Sequence, residues 1–260
     1  MTTSTVSLET KDRVATITMN CPERRNTLDD ALIRDLTEAF LSVNRSHESR
    51  VVVLAGAGTA FCGGMNLDYL QKFSTLGHDE NVEDAKHLMK LLQTIHTMKK
   101  PVIAMVQGAA MGGGCGIAAA CDFVFAGNEK AKFGAPEVRL GFVPALILLY
   151  LIKRMGEGRA REFVLRGDPL DARTARAVGL ATESVADGDL EDTVRHFALS
   201  LASSTSASSI TLTKDLFARL SELSERESLE YAANLNALTR KTEDFKRGIN
   251  AFVNKEKLQW

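Results

Sequence analysis

Residues 111–122 read MGGGCGIAAACD. Three consecutive glycines, Gly112, Gly113 and Gly114, precede Cys115, a fourth glycine, Gly116, and a small-residue run of helical character. Upstream, PVIAMVQG (101–108) is a β-branched, apolar run, and downstream DFVFAG (122–127) is another. Both read as buried strands. A glycine-rich opening to a helix leaves N–H groups free at the positive end of its dipole. It also lets another backbone approach closely, so a tight turn with close strand–helix packing is the plain alternative.

The same alternation runs outward from this stretch. RVATITMN (13–20) alternates apolar and polar residues as a strand does. NTLDDALIRDLTEAFLSVNRS (26–46) places Leu28, Leu32, Leu36, Phe40 and Val43 at helical spacing, with Thr27 and Asp30 suggesting an N-cap. VVVLAG (51–56) is a buried strand, and a charged amphipathic helix is predicted over 81–98. From Pro144 onward the pattern is almost wholly helical, and SSTSASS (203–209) reads as a helix-to-helix turn with capping serines. Short strands with crossover helices imply an α/β core, with a helical C-terminal region packed beside it or on a neighbour.

Composition narrows the chemistry. The chain has 260 residues, 45% hydrophobic and 25% charged, enough for one large domain or two small ones. A net charge of −1 gives no general attraction for polyanions, so nucleic acid is not an expected partner. The N-terminal residues show no signal-peptide pattern, and the longest apolar run, ALILLYLI (145–152), is too short to span a bilayer. Cys21, Cys62, Cys115 and Cys121 form no Cys-x-x-Cys, and the five histidines no His-Glu-x-x-His. Free thiols in a reducing cytoplasm and no metal are therefore expected.

Three other glycine chemistries fail on residue type. A dinucleotide fingerprint starting at Gly112 would need glycine at Ile117. A phosphate loop from Gly58 to Gly63 would need lysine and a hydroxyl where Gly64 and Met65 stand. No Gly-x-Ser-x-Gly elbow is present. A second glycine loop, GAGTAFCGGMNLDYL (56–70), also follows a buried strand and precedes a helix. Two such loops could each supply one N–H to a single oxyanion.

At this point the sequence resembles the crotonase, or enoyl-CoA hydratase/isomerase, family over nearly the whole chain. The resemblance rests on PERRNTLDDAL, AFCGGMNL, PVIAMVQGAAMGGGCGIAAACD, AKFGAPEVRLGFVP, GDPLDARTARAVGLATESV and KTEDFKRGINAFVNKEK. It implies a crotonase-like spiral of ββα units: a core over 1–200 carrying the active site, and a helical oligomerisation region over 201–260. It implies an acyl-CoA substrate, with coenzyme A entering as part of the thioester and no separate cofactor. It also implies a homo-trimer or a dimer of trimers.

Matched position by position, the resemblance makes the backbone N–H groups of Met65 and Gly113 the oxyanion donors, flanked by Gly64 and Gly112. Glu137, in APEVRLG, matches one of two family glutamates. Its apolar neighbours would raise its pKa towards that of a proton-transfer group. The other glutamate is absent, and Gly116 stands in its place. A second departure follows GFVP, where the family often has GAGGT and this chain has ALILLYL, so that Ala145 and its successors would line or underpin the acyl pocket. Arg24, Arg25 and Lys255 would meet the CoA phosphates, Phe252 would pack by the adenine, and Asn66 and Leu67 would border it through their backbone. Asp68 and Glu162 read as solvated or salt-bridged carboxylates, Asp122 as one that caps or hydrogen-bonds locally, and Tyr69 as a residue within reach of the cleft.

The expected activity is hydration of a 2-enoyl-CoA, of branched or glutaconyl type by a looser resemblance. With one carboxylate, a 3-enoyl to 2-enoyl double-bond isomerase and an acyl-CoA decarboxylase remain alternatives. So does a non-catalytic acyl-CoA binder.

Overall fold

A computed structural model describes residues 5–260. The chain opens with an antiparallel pair, β1 (Val6–Lys11) and β2 (Val14–Met19), followed by α1 (Asp30–Arg45). Three strand–strand–helix turns come next. The first is β3 (Val51–Gly56), β4 (Ala60–Cys62), α2 (Leu67–Phe73) and α3 (His78–His96). The second is β5 (Val102–Val106), β6 (Ala109–Met111) and α4 (Gly113–Ala120). The third is β7 (Phe123–Gly127), β8 (Lys132–Gly134) and α5 (Ala145–Arg166), which kinks at Gly156. The short elements β9 (Leu170–Asp171), α6 (Ala172–Ala177) and β10 (Glu183–Val185) close the core. Four helices end the chain: α7 (Leu190–Ser204), α8 (Ala207–Leu220), α9 (Glu225–Thr239) and α10 (Glu243–Val253).

Each turn of the chain contributes to two sheets. The long strands form one sheet in the order β1-β2-β3-β5-β7-β10, parallel from β2 onward. The short strands form a second sheet, β4-β6-β8-β9, parallel except at β8–β9. This is the ββα spiral expected from the sequence. The central strands carry no alternation because both faces are covered. Leu54, Val102, Ala104 and Val124 join one core with α1, α3 and α4, whereas Val53, Ile103 and Phe125 pack under α7 in another.

Local chemistry corrects three expectations. Asp29, not Thr27, caps α1, accepting from the Leu32 N–H at 2.9 Å, while the Thr27 hydroxyl is buried without a partner. The helix expected over 81–98 begins earlier, at His78, where the Glu80 carboxylate accepts from the Gly77 N–H. Asp122 does not act locally: it accepts from the Val102 N–H at 2.7 Å and pairs with Lys214 of α8. The turn at 203–209 is as expected, with Ser206 capping α8. The proposed boundary at 200/201 falls inside α7. Among the described residues, no helix is long and apolar enough to cross a membrane.

Candidate active site

The two glycine loops follow β4 and β6, which are hydrogen-bonded neighbours, so they lie side by side. The segment 25–28 runs along the first loop. Arg25 O accepts from Gly63 N–H, Leu28 N–H donates to Gly64 O, and Asn66 N–H donates to Leu28 O, at 2.7–2.9 Å. Met65 stands between these bonds, and its own N–H has no acceptor among the described residues. Gly113 is the first residue of α4, and its N–H is likewise without an acceptor. Leu28 links the two positions, because its Cδ1 is 2.7 Å from where a Cβ on Gly113 would stand.

The glycine run is a packing hub as much as an opening. Gly112 has φ of +49°, and a Cβ there would also stand 3.2 Å from Glu137 Oε1. At Gly114 a Cβ would meet Cys62 O at 2.5 Å, and at Gly116 it would meet Ile147 Cγ2 at 2.1 Å. Close packing therefore accounts for Gly114 and Gly116, and Gly112 brings the loop against the glutamate.

Glu137 begins a single 3-10 turn, Glu137–Leu140, after β8. Phe133 and Ala135 beneath it are fully buried. Its Oε2 is buried with no hydrogen-bond partner, and burial pushes its carboxyl above the ordinary glutamate value of 4.5. A buried carboxylate oxygen without a partner, on a side chain packed against Gly112, has the chemistry of a proton-exchanging group. Cys115 lies close enough for the Glu137 charge to raise its thiol, which burial already raises.

The two sequence departures are one contact. Ile147, in the first turn of α5, is 3% exposed and packs on Gly116. A glutamate at 116 has no room beside it. Ala145 itself is exposed, so Ile147 rather than Ala145 faces α4.

The expected CoA contacts are only partly assembled in the chain. Arg24 is committed to Asp29 at 2.5 Å and to Cys21 Sγ. Arg25 is exposed beside Gly63 with no side-chain partner among the described residues. The Asn66 N–H is spent on Leu28, whereas Leu67 is 68% exposed. Phe252 and Lys255 lie at the end of α10. That helix is anchored through Asp244 to Ser206 and Ser208, and Arg247 stacks over Trp260, whose carbonyl accepts from Arg13. These anchors sit where the parallel strands begin, whereas the glycine loops follow strand ends. Tyr69 turns away, donating its hydroxyl to Asp84 of α3. Asp68 is exposed, and Glu162 pairs with Arg159 and Arg166 on the surface. Among the described residues, no group of three His, Cys, Asp or Glu could hold a metal ion.

Sequence reading missed two positioning residues. Asn26 is fully buried, with φ of +53°. Its Nδ2 donates to the carbonyls of Ala57, Ala60 and Phe61, and its Oδ1 accepts from Cys21 N–H. Gln107 donates to the carbonyls of Gly56 and Ala60. Together they tie the loop ahead of β4 to its neighbours. An Asn in a turn carries no periodic signal, and only its four partners mark it.

A model of the enoyl-CoA hydratase/isomerase family matches residues 9–260. A Thermus thermophilus protein assigned as an enoyl-CoA hydratase is 36% identical over 245 residues, 94% of this chain and 96% of that protein. The (E)-benzylidenesuccinyl-CoA hydratase of Thauera aromatica is 32% identical, with 95% of each chain covered. Among solved structures, an enoyl-CoA hydratase/isomerase from Marinobacter aquaeolei has a TM-score of 0.90 at 28% identity, with 98% of each chain covered.

Proposed function

Because this chain belongs to the enoyl-CoA hydratase/isomerase family, we propose that it hydrates a 2-enoyl-CoA with Glu137 as its single acid/base group. The observation that carries this reading is the Glu137 carboxyl, raised by burial, with its Oε2 unpartnered and its Oε1 against Gly112, the residue before the free Gly113 N–H. Glu137 takes a proton from water as its oxygen bonds to Cβ. The double-bond electrons move into the thioester and form an enolate. Glu137 then returns the proton to Cα. The N–H groups of Met65 and Gly113 donate to the thioester oxygen, whose charge grows only in this step, so they stabilise the transition state selectively. One such donor contributes about 10²–10³ in rate.

The acyl group is of branched or glutaconyl type in this reading. The Thauera relative, named for a thioester with a second carboxylate, supports the glutaconyl type, and the apolar Ile147–Gly116 wall supports the branched one. Arg25 is the cation placed to meet a CoA phosphate from within the chain. Phe252 and Lys255 would serve a neighbouring copy, in a homo-trimer or dimer of trimers. Four buried free thiols fit a reducing cytoplasm.

A second reading follows from the single carboxylate. Glu137 could move a proton from C2 to C4 of a 3-enoyl-CoA, giving the 2-enoyl isomer. A thioester panel separates the two. Loss of conjugated-enoyl absorbance with 2-enoyl substrates supports hydration. Its gain from a 3-enoyl-CoA supports isomerisation. Binding without turnover of any member, unaffected by Glu137→Gln, would overturn both.

A further inference from the structure

We propose that Ile147 is a specificity-determining residue, resting on the reading above: it fixes the number of acid/base groups at this site at one. A Cβ on Gly116 would stand 2.1 Å from Ile147 Cγ2, 2.7 Å from its Cβ and 3.5 Å from its Cα. The blocked volume therefore belongs to the whole side chain, down to its Cβ. Rotation about χ1 moves Cγ2 but leaves the Cβ in place, and β-branching stiffens that rotation further.

The position matters chemically. Gly116 lies one turn beyond Gly113 on α4, and its N–H donates to Gly112 O at 3.0 Å. Gly112 in turn abuts Glu137. A side chain at 116 would thus start one helical turn from the proposed oxyanion donor. Ile147 fills that ground with apolar atoms, and the flanking Cys115, Ile117 and Ala118 are fully buried. The side chains of Ile147, Ile117 and Ala118 offer no carboxylate or imidazole to take a proton from water. A water molecule at the reacting carbons has Glu137 as its one proton partner, so addition and return of the proton run through the same carboxylate. Reactions that need two simultaneous proton partners are disfavoured, and those satisfied by one are retained.

Gly116 and Ile147 are then an energetically coupled pair, because residues sharing one volume do not respond independently. The test uses full-length Gly116→Ala, Gly116→Glu, Ile147→Gly and the two double variants. Thermal unfolding is expected to show Gly116→Ala falling by about 3–8 °C, the response to overpacking, and Gly116→Glu falling further. Adding Ile147→Gly is expected to restore at least half of each loss. With crotonyl-CoA as the probe, the rate–pH profile of Gly116→Glu/Ile147→Gly gains a second ionisation that wild type lacks. Unchanged melting in Gly116→Ala, losses that simply add in the double variants, or a double-variant profile with the wild-type single ionisation would each overturn the proposal. Failure of wild type to hydrate any panel member would instead sink the hydratase reading and leave the melting cycle readable.

Discussion

At the scale of single residues, folding has left the carboxyl of Glu137 poorly solvated. Burial raises the Glu137 pKa, and its Oε2 gains no hydrogen bond in return. The folded state therefore favours the protonated form more than the unfolded chain does. Above both the folded and unfolded pKa values it carries the cost of a desolvated charge, and below the unfolded value that cost is gone. Glu137→Gln is accordingly expected to raise the melting temperature slightly at pH 7, with the gain vanishing by about pH 4; equal melting at both values would count against a strained carboxylate. As the base in hydration, Glu137 must be ionised, so activity is expected to fall off on the acid side at a pH above 4.5. A rate–pH profile flat down to that value would contradict this. The sequence showed Glu137 and its apolar neighbours directly, and showed Gly116 and ALILLYL as separate oddities. That they touch was not readable, because 30 positions and a reversal of the chain lie between Gly116 and Ile147.

Elements explain what periodicity could and could not reveal. The helices α1 and α3 and the long strands were legible because their apolar residues repeat over several turns or fill a continuous run. The three-residue strands β4, β6 and β8 were not, although they form the second sheet and carry the loops of the site. AFC, AAM and KFG are too short to show a period, and their pairing comes from the tertiary spiral. The first loop depends on Asn26, whose four side-chain hydrogen bonds are made out of solvent. Asn26→Ala is expected to cost about 2–4 kcal/mol, because it strands several buried carbonyls, and to reduce turnover with the loop. Denaturant unfolding checks the first, and a cost under about 0.5 kcal/mol would remove Asn26 from its role. Gly114→Ala offers a second check, since alanine normally favours a helix by about 1 kcal/mol. Here its Cβ would meet the Cys62 carbonyl at 2.5 Å, so a clear loss of stability is expected.

At the scale of the whole molecule, the C-terminal helices leave much apolar surface uncovered. Phe217, Leu229, Leu238, Phe252 and Val253 are all more than half exposed. In the proposed trimer or dimer of trimers this surface would serve as the association face. Light scattering on the purified protein is expected to give three or six times the 28.3 kDa chain mass, and a monomer would remove the proposed trans contribution of Phe252 and Lys255. The spiral brings two loops and a 3-10 turn from three successive turns of chain to one place, and the proposed chemistry depends on that meeting. The direct test is turnover of a 2-enoyl-CoA by wild type and Glu137→Gln, followed by loss of conjugated-enoyl absorbance and paired with thioester affinity for each. Glu137→Gln is expected to lower kcat by about 10²–10⁴ with affinity nearly unchanged; comparable turnover in the two proteins would contradict a catalytic Glu137.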